Sequence, residues 1–294
     1  MSDILVSEAE KIYIVHGIQV RCSPENLRCD GRSCLEYRFL ELETGIVSNC
    51  SGSSHVRLAN TDILVGIKAE LDAPDPCAPQ QGRIEFFVDC TANADPVFEG
   101  RGGEEIATEI RSALARTYRS PKCLDLKSLA VVPGQQAWVL YVDVLILECG
   151  GSLVDAVSVA VKAALYDLKI PKVSVTIDEN GDPEIEVSDD PYDVNRIGIA
   201  NVPCFITLSK VGQQFVLDAT QEEEACAVGS LAMAVTATGK IASLFKGGTG
   251  SLHPENIMDI IEVGRDVGIA LNTAVIEKLK LESIAKREKK GFLL

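Results

Sequence analysis

The sequence predicts an α+β chain in which a block of several strands and helices is laid down twice in succession. Three observations carry this. Stretches of strand-like alternation and stretches of helical spacing follow one another along the 294 residues. The strand–turn–strand stretch "VVPGQQAWVLYVDV" is echoed by "SKVGQQFVLDAT" in the second half. Between the blocks lies "SDDPYDVNRIG" (188–198), acidic and without periodicity, which sets the expected division into residues 1–198, with an N-terminal helix, and residues 199–294, with a long C-terminal helix.

In order along the chain, "SEAEKIYIVHG" opens with Ser7 and has Glu10 three residues on, a capping-box spacing that starts a short helix. The long stretch 27–71, "LRCDGR…GIKAEL", reads as a series of β segments, with turns supplied by "ETG", "CSGSS" and "ANTD". A proline-rich surface loop, "ELDAPDPCAPQQG", leads into the strand "RIEFFVDC". From Gly103, Ile106, Ile110, Ala113 and Leu114 fall on one helical face, behind acids in the first turn. A strand pair then turns at Pro133-Gly134, and "CGGS" leads into a helix from about Ser152 to Leu168, ended by Pro171. "KVSVTIDENGDPEIEVS" predicts a hairpin around Asn180-Gly181. The second block reads as strand, turn, strand in "CFITLSKVGQQFVLDAT", then the hairpin "SLAMAVTATGKIASLF" and a long helix from near Pro254.

Composition narrows the function classes. Hydrophobic residues make up 46% and charged residues 24%, as in an ordinary globular protein. No window approaches the roughly 18 continuous apolar residues of a membrane span, and the acidic N-terminus does not resemble a secretory signal. Ten cysteines occur without a CxxC pair and beside only three histidines, so metal is not expected and the thiols read as reduced. The formal charge of −15 excludes a protein whose whole surface coats nucleic acid. It leaves room for a local basic strip, and it suits partners of complementary charge.

Three stretches offer chemistry. The turn Gly150-Gly151-Ser152 joins an apolar strand to a helix N-terminus, whose free N–H groups favour phosphate. The helix brings no basic side chain until Lys162, and on the residues alone a tight connection is the preferred reading. Asp218, Glu222, Glu223 and Glu224 cluster beside a strand end, where carboxylates hold Mg²⁺ or donate protons, although a solvated acidic turn is preferred. "KGGTGSLHPENI" lacks the GK[ST] of a P-loop and reads as a connecting loop. His16, His55 and His253 fall in separate elements and form no triad, and no serine stands in a GxSxG elbow.

Taken jointly, "LRCDGR", "SGSSHVRLANTDILVGIKAEL", "GGSLVDAVSVAVKAAL" and "VLDATQEEEA" resemble the RNase PH family. Within it they resemble the RNase PH-like ring subunits of the RNA exosome, most of all those of eukaryotes. The resemblance implies two βαβ-rich halves with mixed sheets packed against helices. It implies a hetero-hexameric ring of such subunits that threads single-stranded RNA, beneath RNA-binding cap subunits. No membrane association and no cofactor are implied, and the place of action that the resemblance implies is the nucleus, nucleolus and cytoplasm.

Active members of the family cleave RNA with inorganic phosphate, held on a turn of this kind followed by an arginine. Here Leu153 takes the arginine's place, so Gly150, Gly151, Ser152 and Leu153 are expected to be a vestigial phosphate site. An arginine–phosphate hydrogen bond is charge-assisted and contributes roughly 1.5–3 kcal/mol, which leucine cannot supply. The family's two aspartates, six residues apart, align with Glu224 and Ser230, and a hydroxyl cannot replace a carboxylic acid as proton donor near neutrality. A pair of arginines before the 103–119 helix becomes Glu105-Ile106. The expectation is therefore a scaffold subunit with no catalytic residue, and the competing one is a phosphate-dependent 3′-to-5′ exoribonuclease, alone or by completing a neighbour's site. Arg116 and Arg119 match positions at which related subunits reach RNA, and Arg57 lies on a strand that could also face it.

Overall fold

The computed structural model describes residues 6–20, 28–99, 102–177, 183–188, 190 and 192–288. The chain runs α1 (Glu8–Val20), β1 (Leu40–Thr44), β2 (Gly52–Leu58), β3 (Thr61–Asp72), β4 (Arg83–Cys90), α2 (Gly102–Tyr118), β5 (Ala130–Val132), β6 (Gln136–Glu148) and α3 (Leu153–Asp167). It continues with β7 (Ile170–Pro171), β8 (Val173–Ile177), β9 (Pro183–Val187), β10 (Val194–Asn195), β11 (Cys204–Val211), β12 (Gln214–Leu217), α4 (Gln221–Cys226), β13 (Gly229–Val235), β14 (Ile241–Gly247) and α5 (Pro254–Glu288).

Alternation along β2, β3 and β6 sends Val56, Ile63, Val65, Val142, Val144 and Ile146 to one face, where all are buried. These strands form a six-stranded mixed sheet in the order β1-β2-β3-β6-β4, with β5 paired to β6. β4 and β6 are parallel and are joined through α2, a crossover unit. The second sheet, β12-β11-β13-β14, is antiparallel. The two sheets sit on opposite sides of α3, which packs on β2 and β3 of the first and β11 of the second. A helix covered on both sides must be apolar all round. "DAVSVAVKAAL" obeys this: every residue from Asp155 to Leu165 is buried.

α5 covers the second sheet, and two of its glycines permit close approach. A Cβ at Gly268 would sit 2.6 Å from Ile206 and Val235, and one at Gly264 would sit 2.4 Å from Met233. α2 ties the halves together through Thr117 Oγ1, 2.6 Å from Ser243 Oγ, and through Arg116, whose guanidinium lies 5.1 Å from the Phe245 ring centroid.

The α+β architecture and its element order follow the sequence reading, including the Ser7–Glu10 capping box of α1 and the start of α5 at Pro254. Two stretches depart from it: Gln221–Cys226, read as an acidic turn, form the short helix α4, and the second lies at the start of the first block. Residues 28–39, expected to open the β series, form no strand. Arg28, Arg32 and Arg38 in this stretch turn inward to carboxylates of the second half, so no sheet edge holds it. The proposed tip of the β8–β9 hairpin lies outside the described residues, although the two strands pair as expected.

Candidate functional site at the first turn of the central helix

The site is built where β6 ends. Gly151 has φ +96°, and a Cβ there would lie 2.5 Å from the Ala219 carbonyl oxygen, so only glycine fits against the second half. Ser152 follows at φ +52°, a left-handed conformation uncommon for a residue with a side chain. The turn is held from three directions. Thr61 Oγ1 donates to the Gly151 carbonyl (2.9 Å) and accepts from the Gly150 N–H (3.2 Å). Arg38 donates to the carbonyls of Gly150 (2.7 Å) and Gly151 (3.0 Å). The N–H of Ser152 donates to Glu224 Oε1 at 2.8 Å.

That last contact decides the electrostatics. The N-terminus of a buried helix attracts an anion, and the anion here is a carboxylate of the same chain. Burial raises the Glu224 pKa to about 7, with the Ser152 N–H and the Arg38 guanidinium pulling the other way. Leu153, in the place of the family's arginine, packs partly buried against the main core. The Ser152 hydroxyl is buried and forms no well-shaped hydrogen bond.

Asp155, one turn into α3, accepts from Thr207 N (2.9 Å) and Oγ1 (2.6 Å), and burial lifts its pKa to about 7. Lys162 does not approach the turn. It is fully buried, donates to the Val202 carbonyl (2.8 Å) and to Asn272 Oδ1, and its pKa is lowered by burial.

The acidic cluster is not the solvated turn that the residues alone favour. Asp218 is fully buried at φ +47°, and its carboxylate accepts from Arg38 Nη2 (2.7 Å), Arg38 N (2.8 Å) and Arg32 Nη1 (3.1 Å). Glu223 accepts from Arg28 Nε (2.8 Å) and completes a capping box with Thr220 on α4. Only Glu222 is exposed. Carboxylates are retained inside because three guanidiniums from residues 28–38 meet them there. Sequence reasoning used "LRCDGR" as a family mark and missed Arg28, Arg32 and Arg38 as partners, since 180 or more residues separate them from Asp218. The Thr220-to-Glu223 spacing was the one local signal, the same S/T-x-x-E pattern that marks α1.

The expected residues are only partly brought together. Glu224 reaches the Gly150–Ser152 turn. Ser230 lies on β13 opposite Ser209 and Gly247, its Oγ 2.5 Å from where a Gly247 Cβ would sit, and it shares no hydrogen bond with Ser152 or Glu224. Arg116 stacks on Phe245, Arg119 is exposed at the end of α2, and Arg57 stands in register between Glu41 and Asp62. Glu104, Glu105 and Glu109 form an acidic ridge on the exposed face of α2. Among the described residues no group of three or more His, Cys, Asp or Glu is placed to hold a metal, and no helix is long and apolar enough to cross a membrane. The nine described cysteines are free thiols.

Two α+β units joined around a glycine–serine turn at the head of a shared central helix define a class of protein, and the family models agree. Residues 36–171 match domain 1, and residues 201–267 match domain 2, of the 3′ exoribonuclease family, RNase PH. The chain belongs to that family, on its Rrp42 branch. It is 32% identical to an RRP42 protein of Dictyostelium discoideum, over 94% of this chain and 98% of that one. It is 36% identical to the exosome complex component Rrp42 of Thermococcus kodakarensis, over 86% and 91%. In fold it is similar to a chain of the Archaeoglobus fulgidus exosome solved with RNA bound to the active site, with TM-score 0.75, 23% identity and coverage of 90% and 96%. An archaeal exosome core chain matches with TM-score 0.69 and 23% identity, over 92% and 99%.

Proposed function

We propose that this chain is a non-catalytic ring subunit of the RNA exosome, acting in the nucleus, nucleolus and cytoplasm. It supports 3′-to-5′ RNA processing and turnover by holding RNase PH-like neighbours in register around a channel for single-stranded RNA, below RNA-binding cap subunits. Its division into units at 198/199 belongs to the same reading. One observation carries the absence of catalysis: the Glu224 carboxylate sits on the Ser152 N–H, where a phosphate would have to bind. A phosphate entering there finds that N–H already bonded to Glu224, and Leu153 offers it no counter-charge. Ser230 adds no acid, and Glu105 repels an RNA backbone at the start of α2. The kinship with Rrp42 proteins along nearly the whole chain supports the ring role.

The test is direct. The purified chain receives 3′-labelled RNA, phosphate and Mg²⁺, and no nucleoside diphosphate should appear. Phosphate-dependent release that is lost on Ser152→Ala would establish the phosphorolytic enzyme instead. Of the surface arginines, Arg119 is the better candidate for RNA contact, because Arg116 already has the Phe245 ring as its partner.

A further inference from the structure

The hairpin of β8 and β9 stands apart from both large sheets. Among the described residues its strands pair only with each other, and its main contact with the body runs from β8 to β5. The register puts Val173 opposite Val187 and Val175 opposite Ile185, so four β-branched side chains share one face. Ser174 and Glu186 pair on the other. Val173, at the base, reaches the main core, but the apolar face beyond it is open: Val175 is 44% exposed and Val187 43%. A lone two-stranded hairpin is at best marginally stable in water and needs a third strand or a covered face. At its base the Lys172 N–H donates to the Asp193 carbonyl (3.1 Å), and the Ser188 N–H donates to the Lys172 carbonyl (2.9 Å). These bonds hold Tyr192, 91% exposed, beside the hairpin. Charge marks the same stretch. From Val173 to Asn195 the sequence holds eight acids and no lysine or arginine, whereas the whole chain mixes 43 acids with 28 bases. Lys172, just before it, is paired with Asp193.

We propose that the β8–β9 hairpin is a docking surface for a partner protein that presents an apolar patch rimmed by lysine or arginine. This surface follows from the hairpin alone and does not depend on the ring. Charge complementarity selects the occupant. RNA and anionic lipid are repelled by acids that outnumber any base nearby. A second copy would set the same acids against each other across a two-fold axis. A wholly basic surface would leave the valines in water, and a wholly apolar one would strip water from Glu186 without pairing it. A patch with both features covers Val175, Val187 and Tyr192 and neutralises the acids around them.

The experiment uses the full chain, ¹⁵N-labelled, titrated separately with a peptide of alternating valine and lysine, its valine–glutamate counterpart, oligolysine and oligoadenylate. The valine–lysine peptide should shift the amide signals of Val175, Val187 and Tyr192, and oligolysine should bind roughly threefold more weakly or worse. Val175→Thr and Val187→Thr keep exposed β-branched residues, so the strands persist. Together they should weaken the valine–lysine peptide roughly fivefold. Oligolysine binding as tightly, a double variant that binds unchanged, or silence with every probe would each overturn the proposal. So would oligoadenylate or the valine–glutamate peptide moving these signals in place of the valine–lysine peptide. Signals that shift with protein concentration alone, and stop doing so in the double variant, would make the occupant a second copy and overturn it too. None of these titrations reads ring assembly, so failure here leaves the ring role standing.

Discussion

Two groups of arginines in this chain have opposite fates. Arg28, Arg32 and Arg38 lie in a segment without regular structure, yet they are sunk against Asp218 and Glu223, and Arg38 also holds the carbonyls of the Gly150-Gly151 turn. Arg116 lies on a well-formed helix and Arg119 one residue past its end, both with their side chains at the surface. An arginine's role follows from where the nearest carboxylate falls in space. The helix supplies none to Arg116, which takes a ring face, whereas the coil crosses the second half and meets two acids, Asp218 and Glu223.

That contrast is broken most severely at Asp218. Asp218→Ala leaves Arg38 buried without its counter-ion, and urea unfolding should show a loss of about 3–5 kcal/mol. Next comes the other buried cation. Asn272→Leu removes an acceptor from the Lys162 ammonium, and the same measurement should report a loss of about 1.5–3 kcal/mol. Because burial lowers the Lys162 pKa, the folded chain binds fewer protons there than the unfolded one at high pH. That group's contribution therefore rises with pH towards its unfolded pKa and is least favourable below the folded one.

Glu224 gives a pH test with the opposite sense. Its pKa is raised from 4.5 to about 7, so the folded chain holds a proton that the unfolded chain releases between those values. Stability should fall as pH rises through that window, by a few kcal/mol in total, with Asp155 adding to the slope. Glu224→Gln keeps an acceptor for the Ser152 N–H and should flatten part of the slope in melts taken between pH 4.5 and 8. An unchanged profile would mean that Glu224 is ionised throughout. The smallest effect belongs to the surface group. Arg116→Ala should lose about 0.5–1 kcal/mol with the ring contact, while Arg119→Ala should stay within about 0.5 kcal/mol. A larger loss at Arg119 would show a contact the isolated chain does not make.

Much of the fold was legible because its signals are local. The period-2 runs of β2, β3 and β6, the Pro133-Gly134 turn, the Ser7–Glu10 cap and Pro254 at the head of α5 each show within a few residues. The site was legible only in outline. The glycines of the turn stood out, and Glu224 was singled out as an acid, but not as the group that fills the helix N-terminus 72 residues away. Carboxylates in a run read as solvated, because nothing near them in sequence discloses the arginines that bury them.

The sequence by itself determined most of the elements and the absence of an arginine after Ser152, since these depend on neighbours in the chain. The tertiary structure alone decided which charges are buried, that Lys162 faces Asn272 and not the turn, and that Glu224 occupies the N–H of Ser152. The physical reason is the range of the forces. Backbone propensity and periodicity act over a few residues, but a buried charge persists only where a partner from a distant segment arrives to compensate it.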